Sequence, residues 1–188
     1  KENYAFIKGA IPTLISLLID PKVAPQAIFI LAQLSTDPEN YSAITPAIPI
    51  LMALLQKTEN RKDILFALAQ LALSQPNLSK IAHATSDFIA LLGDPDPENR
   101  KYAGVILEKL LAEKQILPAL NSSCDRLFSL LNVQDQSVNK IASDLLLSLA
   151  LREPDSHAKI KKNAGPALYE KLLPAMKTLC PHTPADID

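Results

Sequence analysis

Ala27-Ile28-Phe29-Ile30-Leu31-Ala32-Gln33-Leu34 returns 37 residues later as Ile64-Leu65-Phe66-Ala67-Leu68-Ala69-Gln70-Leu71. In the first copy Ala27, Leu31 and Leu34 fall at i, i+4 and i+7; Ile64, Leu68 and Leu71 do the same in the second. That spacing is the buried stripe of a helix. The repetition extends outward from this stretch. Asn3-Tyr4-Ala5-Phe6-Ile7 becomes Asn40-Tyr41-Ser42-Ala43-Ile44 and then Asn77-Leu78-Ser79-Lys80-Ile81, again in steps of 37. Leu14-Ile15-Ser16-Leu17-Leu18 becomes Leu51-Met52-Ala53-Leu54-Leu55, Phe88-Ile89-Ala90-Leu91-Leu92 and, 39 residues further, Leu127-Phe128-Ser129-Leu130-Leu131. Looser copies of the long segment run from Ala103 to Leu110 and from Ala142 to Leu149. Each unit therefore holds a short apolar segment, one of about three helical turns and one of about four. A single unit cannot bury its own apolar face, so stacked neighbours must share a core.

The breaks carry helix signals. Asp37-Pro38-Glu39 and Asp96-Pro97-Glu98 each offer an N-cap acid, a proline at the first helical position and an acid in the first turn. Ala10-Ile11-Pro12 and Ala47-Ile48-Pro49 place a proline where a middle helix starts, and Asp20-Pro21 and Asp94-Pro95 close such helices.

Composition agrees with a helical array. Hydrophobic residues make up 48% of the 188, enough for a continuous core, and with 5 Phe, 4 Tyr and no Trp they are mostly aliphatic. Only 4 Gly are present, too few for a hairpin-rich fold, whereas 15 Pro suit many short helices. A net charge of −1 provides no field that attracts nucleic acid or anionic lipid. Every apolar run is too short to span a membrane. Cys124 and Cys180 make no disulfide framework, which suits a reducing compartment. With no signal peptide visible, a cytoplasmic location is expected, with the nucleus as the alternative. The chain begins at Lys1 and runs straight into a helical pattern, which reads as a segment of a longer protein.

The Ala-Ile-Pro-x-Leu-Ile-x-Leu-Leu start of the middle segment, the three-helix unit and the period near 40 resemble the armadillo repeat family, with two-helix HEAT repeats as second choice. The resemblance covers roughly residues 3–175. It implies an all-α, right-handed α-solenoid of about four three-helix repeats, at 3–39, 40–76, 77–114 and 115–154. The first lacks most of its opening helix; a partial unit at 155–177 and a loose tail at 178–188 follow.

The resemblance also implies a binding site. Armadillo arrays commonly hold an extended chain in a concave groove lined by their third helices, using a Trp and, one turn later, an Asn on each. Here the Trp position falls on Phe29, Phe66, Val105 and Asp144, and the Asn position on Gln33, Gln70, Lys109 and Ser148. Neither residue type survives at its place. Gln still offers a peptide backbone both a donor and an acceptor. One turn earlier stand Gln26, Asp63 and Tyr102. Phe29, Phe66 and Tyr102 form an apolar track if exposed together; Phe29 and Phe66 are plain core if they are not. Gln33 and Gln70 read as backbone grips or as solvated surface. The expected partner-binding set is thus Gln26, Phe29, Gln33, Asp63, Phe66, Gln70, Tyr102, Lys109 and Ser148.

No catalytic, cofactor or metal site is expected. His83, His157 and His182 are scattered, without Cys or acid at metal-ligand spacing. The glycines are isolated, and Asp94, Asp96 and Glu98 lack the order of a calcium loop. The one basic concentration, Lys159, Lys161, Lys162 and Lys171, reads as a solvated face before a phosphate or acidic-peptide contact. The expected function is a non-enzymatic scaffold or adaptor that binds a protein or peptide. The alternative is a module of the Hsp70 co-chaperone or nucleotide-exchange kind that embraces a folded partner. No nucleic acid or membrane is expected as a partner; self-association through exposed array ends is a further expectation.

Overall fold

A computed structural model describes the chain over residues 2–57 and 60–153 and at positions 156, 160, 162 and 170. The described residues form helices and turns with no strand. The first unit contains α1 (Glu2–Leu17) and α2 (Ala24–Leu34). The second contains α3 (Tyr41–Ile44), α4 (Ile48–Leu54) and α5 (Arg61–Leu71). The third contains α6 (Gln75–Ile81), α7 (Thr85–Leu91) and α8 (Pro97–Leu110). The fourth contains α9 (Leu117–Ser122), α10 (Cys124–Leu130) and α11 (Gln136–Arg152). Tight 3-10 turns at 45–47 and 82–84 join opening to middle helices. The partial unit expected at 155–177 and the tail at 178–188 lie outside the described residues, apart from the isolated positions 156, 160, 162 and 170. So do His157, Lys159, Lys161, Lys171, Cys180 and His182.

The units stack as their apolar spacing requires. The third helices pack in sequence, α2 on α5, α5 on α8 and α8 on α11. Each opening helix lies on the middle helix of the unit ahead: α3 on α1, α6 on α4, α9 on α7. One core runs through the array. Leu31, Leu68, Leu107 and Leu146 occupy the same place in four successive third helices, and all are 0% exposed. Each such side chain contributes about 1.5–3 kcal/mol by leaving water. The resulting architecture is an all-α solenoid.

The caps act where the sequence puts them. Asp37 accepts from the Glu39 amide and Asp96 from the Glu98 amide, both at 2.9 Å. Three expectations need correction. The middle helices α4, α7 and α10 have 7 residues each, about two turns and not three, because each passes into a hydrogen-bonded turn at Leu55, Leu92 or Leu131. The first unit does not lack its opening helix, since α1 already begins at Glu2. Nor does Pro12 start a helix: it sits inside α1, whose opening and middle segments are continuous. A proline there removes one backbone hydrogen bond, and α1 continues through it.

Candidate binding face of the third helices

Four third helices lying side by side present equivalent positions in ranks. The first rank is Phe29, Phe66, Val105 and Asp144. Phe29 is 53% exposed, and the other three are half-buried. The second rank is Gln33, Gln70, Lys109 and Ser148. Gln33 and Lys109 are exposed and Gln70 is half-buried. One turn earlier, Gln26 is exposed, and Asp63 and Tyr102 are half-buried.

Ser148 differs from the rest of its rank. It is only 9% exposed, and its Oγ has no hydrogen-bond partner. Serine has a short side chain, and Leu147 and Leu151 on the same helix are partly buried against the core. Gln33 and Lys109 carry their polar ends clear of the same helix surface on longer stems.

The structure brings Phe66 and Tyr102 together. Their rings meet edge to face, with centroids 5.5 Å apart and planes at 74°. Both also lean on the core, so neither the apolar track nor the plain core describes them alone. The contact joins a first-rank residue of α5 to the residue one turn earlier on α8. Such aromatic pairs add about 0.5–1.5 kcal/mol beyond burial. Phe29 projects further into solvent than Phe66 or Tyr102, at 53% exposed.

Sequence reasoning missed the charges beside the track. The Lys101 ammonium sits 5.3 Å from the centre of the Tyr102 ring and 3.6 Å from Glu98. Lys140 of α11 reaches Glu108 of α8 at 3.9 Å. Burial pushes the Asp144 carboxyl above its usual range; Lys140 draws it back, and Glu108 pushes it further up. Glu98, Lys101, Val105, Glu108 and Ile141 help line a cleft of about 360 Å³ between α8 and α11. The only sequence signal was the i, i+3 spacing of Glu98 and Lys101; the pairing of Lys140 with Glu108 depends on how two helices sit. A second, apolar cleft of about 400 Å³ lies off the ranks, between Leu18, Ile19, Pro21, Ile28, Ile50 and Leu54.

The chemistry of the face is that of contact. Among the described residues no group of three His, Cys, Asp or Glu side chains comes together as a metal site, and no helix is long and apolar enough to cross a membrane.

No protein-family model and no curated protein matches the sequence. Solved structures do match. The chain is 27% identical to an engineered protein, with a TM-score of 0.68 over 88% of this chain and 72% of that one. It is 23% identical to computationally designed armadillo repeat proteins for modular peptide recognition, with a TM-score of 0.70 over 87% of this chain and 74% of the other. A designed armadillo repeat protein in complex with the peptide (KR)4 is 22% identical, with a TM-score of 0.65 over 95% and 77% of the two chains.

Proposed function

We propose that this chain, an armadillo-repeat solenoid by fold, is a non-enzymatic scaffold that binds an extended or helical segment of a partner protein across its third helices. One observation carries the reading. The first-rank residues of four stacked helices keep part of their surface open, whereas Ala67, Ile106 and Leu145, one residue further on in the later three, are fully buried. A row of accessible, regularly spaced side chains on a rigid core suits a ligand that also repeats along its length. A neighbour of the same fold carries such a ligand, a peptide.

Phe29 supplies an exposed apolar anchor, and the Phe66–Tyr102 pair supplies a preformed aromatic step. Gln26, Gln33 and Gln70 offer donors and acceptors to a partner backbone. Asp63 and Lys109 set charge preference at two points along the row. Because the core fixes the helices, little ordering cost falls on this side of the complex. We place the protein in the cytoplasm, where a buried Cys124 thiol is compatible with a reducing milieu.

The test is affinity capture followed by titration. Phe29→Glu, Gln33→Ala, Gln70→Ala and Lys109→Glu are combined in one variant. Phe66 is left in place because it packs against Tyr102 and the core. The variant is expected to melt like the parent and to bind the captured partner at least about tenfold more weakly, the loss of roughly one hot-spot contact. Binding should survive when the partner is cut to a peptide. Equal capture by parent and variant sinks the residue assignment. Binding that requires an intact folded lobe favours an embracing, co-chaperone-like role.

A further inference from the structure

The burial pattern of the third helices has one exception, and it lies in the first unit. Ala67, Ile106 and Leu145 are each 0% exposed, as are Leu71, Leu110 and Leu149. The matching residues of α2 are Ile30, which is 42% exposed, and Leu34, which is half-buried. The later three helices each have a preceding third helix packed against them; α2 has none. The difference in neighbours accounts for the difference in burial. Ile30 is as apolar as the residues buried at its place elsewhere, and no charged residue occurs anywhere in α2. Terminal units of a solenoid need a polar outer face to stay soluble. Here Leu17, Ile19, Val23, Phe29 and Ile30 make the first unit the most apolar surface of the described residues.

A second observation is independent of burial. In the second and third units the opening helix lies on the middle helix of the unit ahead and is set off from its own middle helix by a 3-10 turn. In the first unit the two segments are one helix through Pro12, although Ala10-Ile11-Pro12 repeats the residues Ala47-Ile48-Pro49. The residues of a break are present. Among the described residues no helix stands ahead of α1 for the opening segment to lie on.

We propose that the face centred on Ile30 is the seat of a further three-helix unit of the same kind, joined ahead of Asn3 and stacked on α2 as α2 is stacked on α5. Continuity with the three stacking interfaces already present identifies this occupant. Covering the face buries Ile30 and Leu34 and turns α1 into separate opening and middle helices at Pro12. It also moves Gln26, Phe29 and Gln33 from the edge of the binding face toward its middle.

The test compares the chain with an extended form that carries a copy of residues 40–76 ahead of Asn3, which reproduces the junction between residues 76 and 77. Amide exchange, thermal melting and sedimentation are measured on both. Expected are at least about tenfold slower exchange across residues 27–34 in the extended form and chemical-shift changes at Ala10 and Ile11 that report the break. Ile30→Glu should reverse both effects in the extended form, yet move the melting point of the original chain by no more than about 2 °C, as befits an exposed site. Unchanged exchange in α2, or a gain indifferent to Ile30→Glu, overturns the proposal. An original chain that sediments as a dimer dissociated by Ile30→Glu also overturns it, by giving the face to a second copy.

Discussion

Asp94 shows what a single residue does that its neighbours in sequence do not announce. Its carboxylate accepts from Arg61 Nη1 at 2.7 Å, from the Asp96 amide at 2.9 Å and from Asn99 Nδ2 at 3.1 Å. Its side chain is 5% exposed, so the second unit is tied to the third through a buried ion pair. Arg100 repeats the device one unit on, bonding Asp135 at 3.0 Å and the Asp94 and Pro95 carbonyls. Burial raises the Asp94 pKa, but the Asn99 and Asp96 hydrogen bonds and the Arg61 charge outweigh it and hold the carboxyl below its usual range. A depressed carboxylate stabilises the fold at pH values above its unfolded pKa and ceases to as pH falls through the folded one. The contribution of Asp94 is therefore complete above roughly pH 5 and lost as the solution is acidified below about pH 4. Asp94→Ala is expected to cost about 3 kcal/mol at pH 7, because it strands a partly buried guanidinium. Urea unfolding at pH 7 and pH 3 checks both statements, since the gap between parent and variant should shrink at the lower pH. From sequence, Asp94 was legible only as a turn residue. Its partner Arg61 is 33 positions away, and nothing local links them.

The elements were legible to the extent that their signals are local. Asp96 caps α8 as its Asp-Pro-Glu sequence requires, and Asp96→Ala should destabilise the protein by about 1 kcal/mol in a denaturant melt. The third helices follow from a stripe visible in one line of sequence. The middle helices end earlier than their apolar runs suggest, because Leu18, Leu55 and Leu92 are buried from the turn that follows the helix. Pro12 misled because the same Ala-Ile-Pro residues that open α4 lie here inside one continuous helix. Gly104 carries a further relation between elements. A Cβ there would collide with Cδ1 of Ile141 on α11. Gly104→Ala gains roughly 1 kcal/mol of helix propensity but displaces Ile141. Ile141→Val alone should cost about 0.5–1.5 kcal/mol. Combined with Gly104→Ala it frees the space, so the double variant is expected to be more stable than the two single effects sum to. A double-mutant cycle measures the sign.

At the scale of the molecule, the period of 37 to 39 residues was sufficient for the architecture, since stacking is the one way such units bury their stripes. The proposed binding face was half legible. Its ranks follow from the period alone, whereas the depth of each residue depends on neighbours in space. Phe29 stands out and Phe66 leans inward although their local sequences nearly match, because only Phe66 has Tyr102 beside it. Ser148 is buried where Gln33 and Lys109 are exposed. An array held by nearest-neighbour contacts should also lose cooperativity when one interface is weakened. Breaking the tie between the second and third units with Arg61→Ala is expected to separate amide exchange on its two sides, residues 24–55 opening at a lower free energy than residues 97–150. Uniform exchange across both would show that the array opens as one unit.

Gly104 has a consequence for any ligand laid across the ranks. Packed helix axes are about 8–10 Å apart, whereas two residues of an extended chain advance a little under 7 Å. Two scales of unequal division drift out of phase, as a vernier does. At Gly104 the tip of Ile141 fills the room a Cβ would take, so a single added carbon presses on the division between α8 and α11. Widening that gap with Gly104→Ala should change which residues of a ligand reach α11.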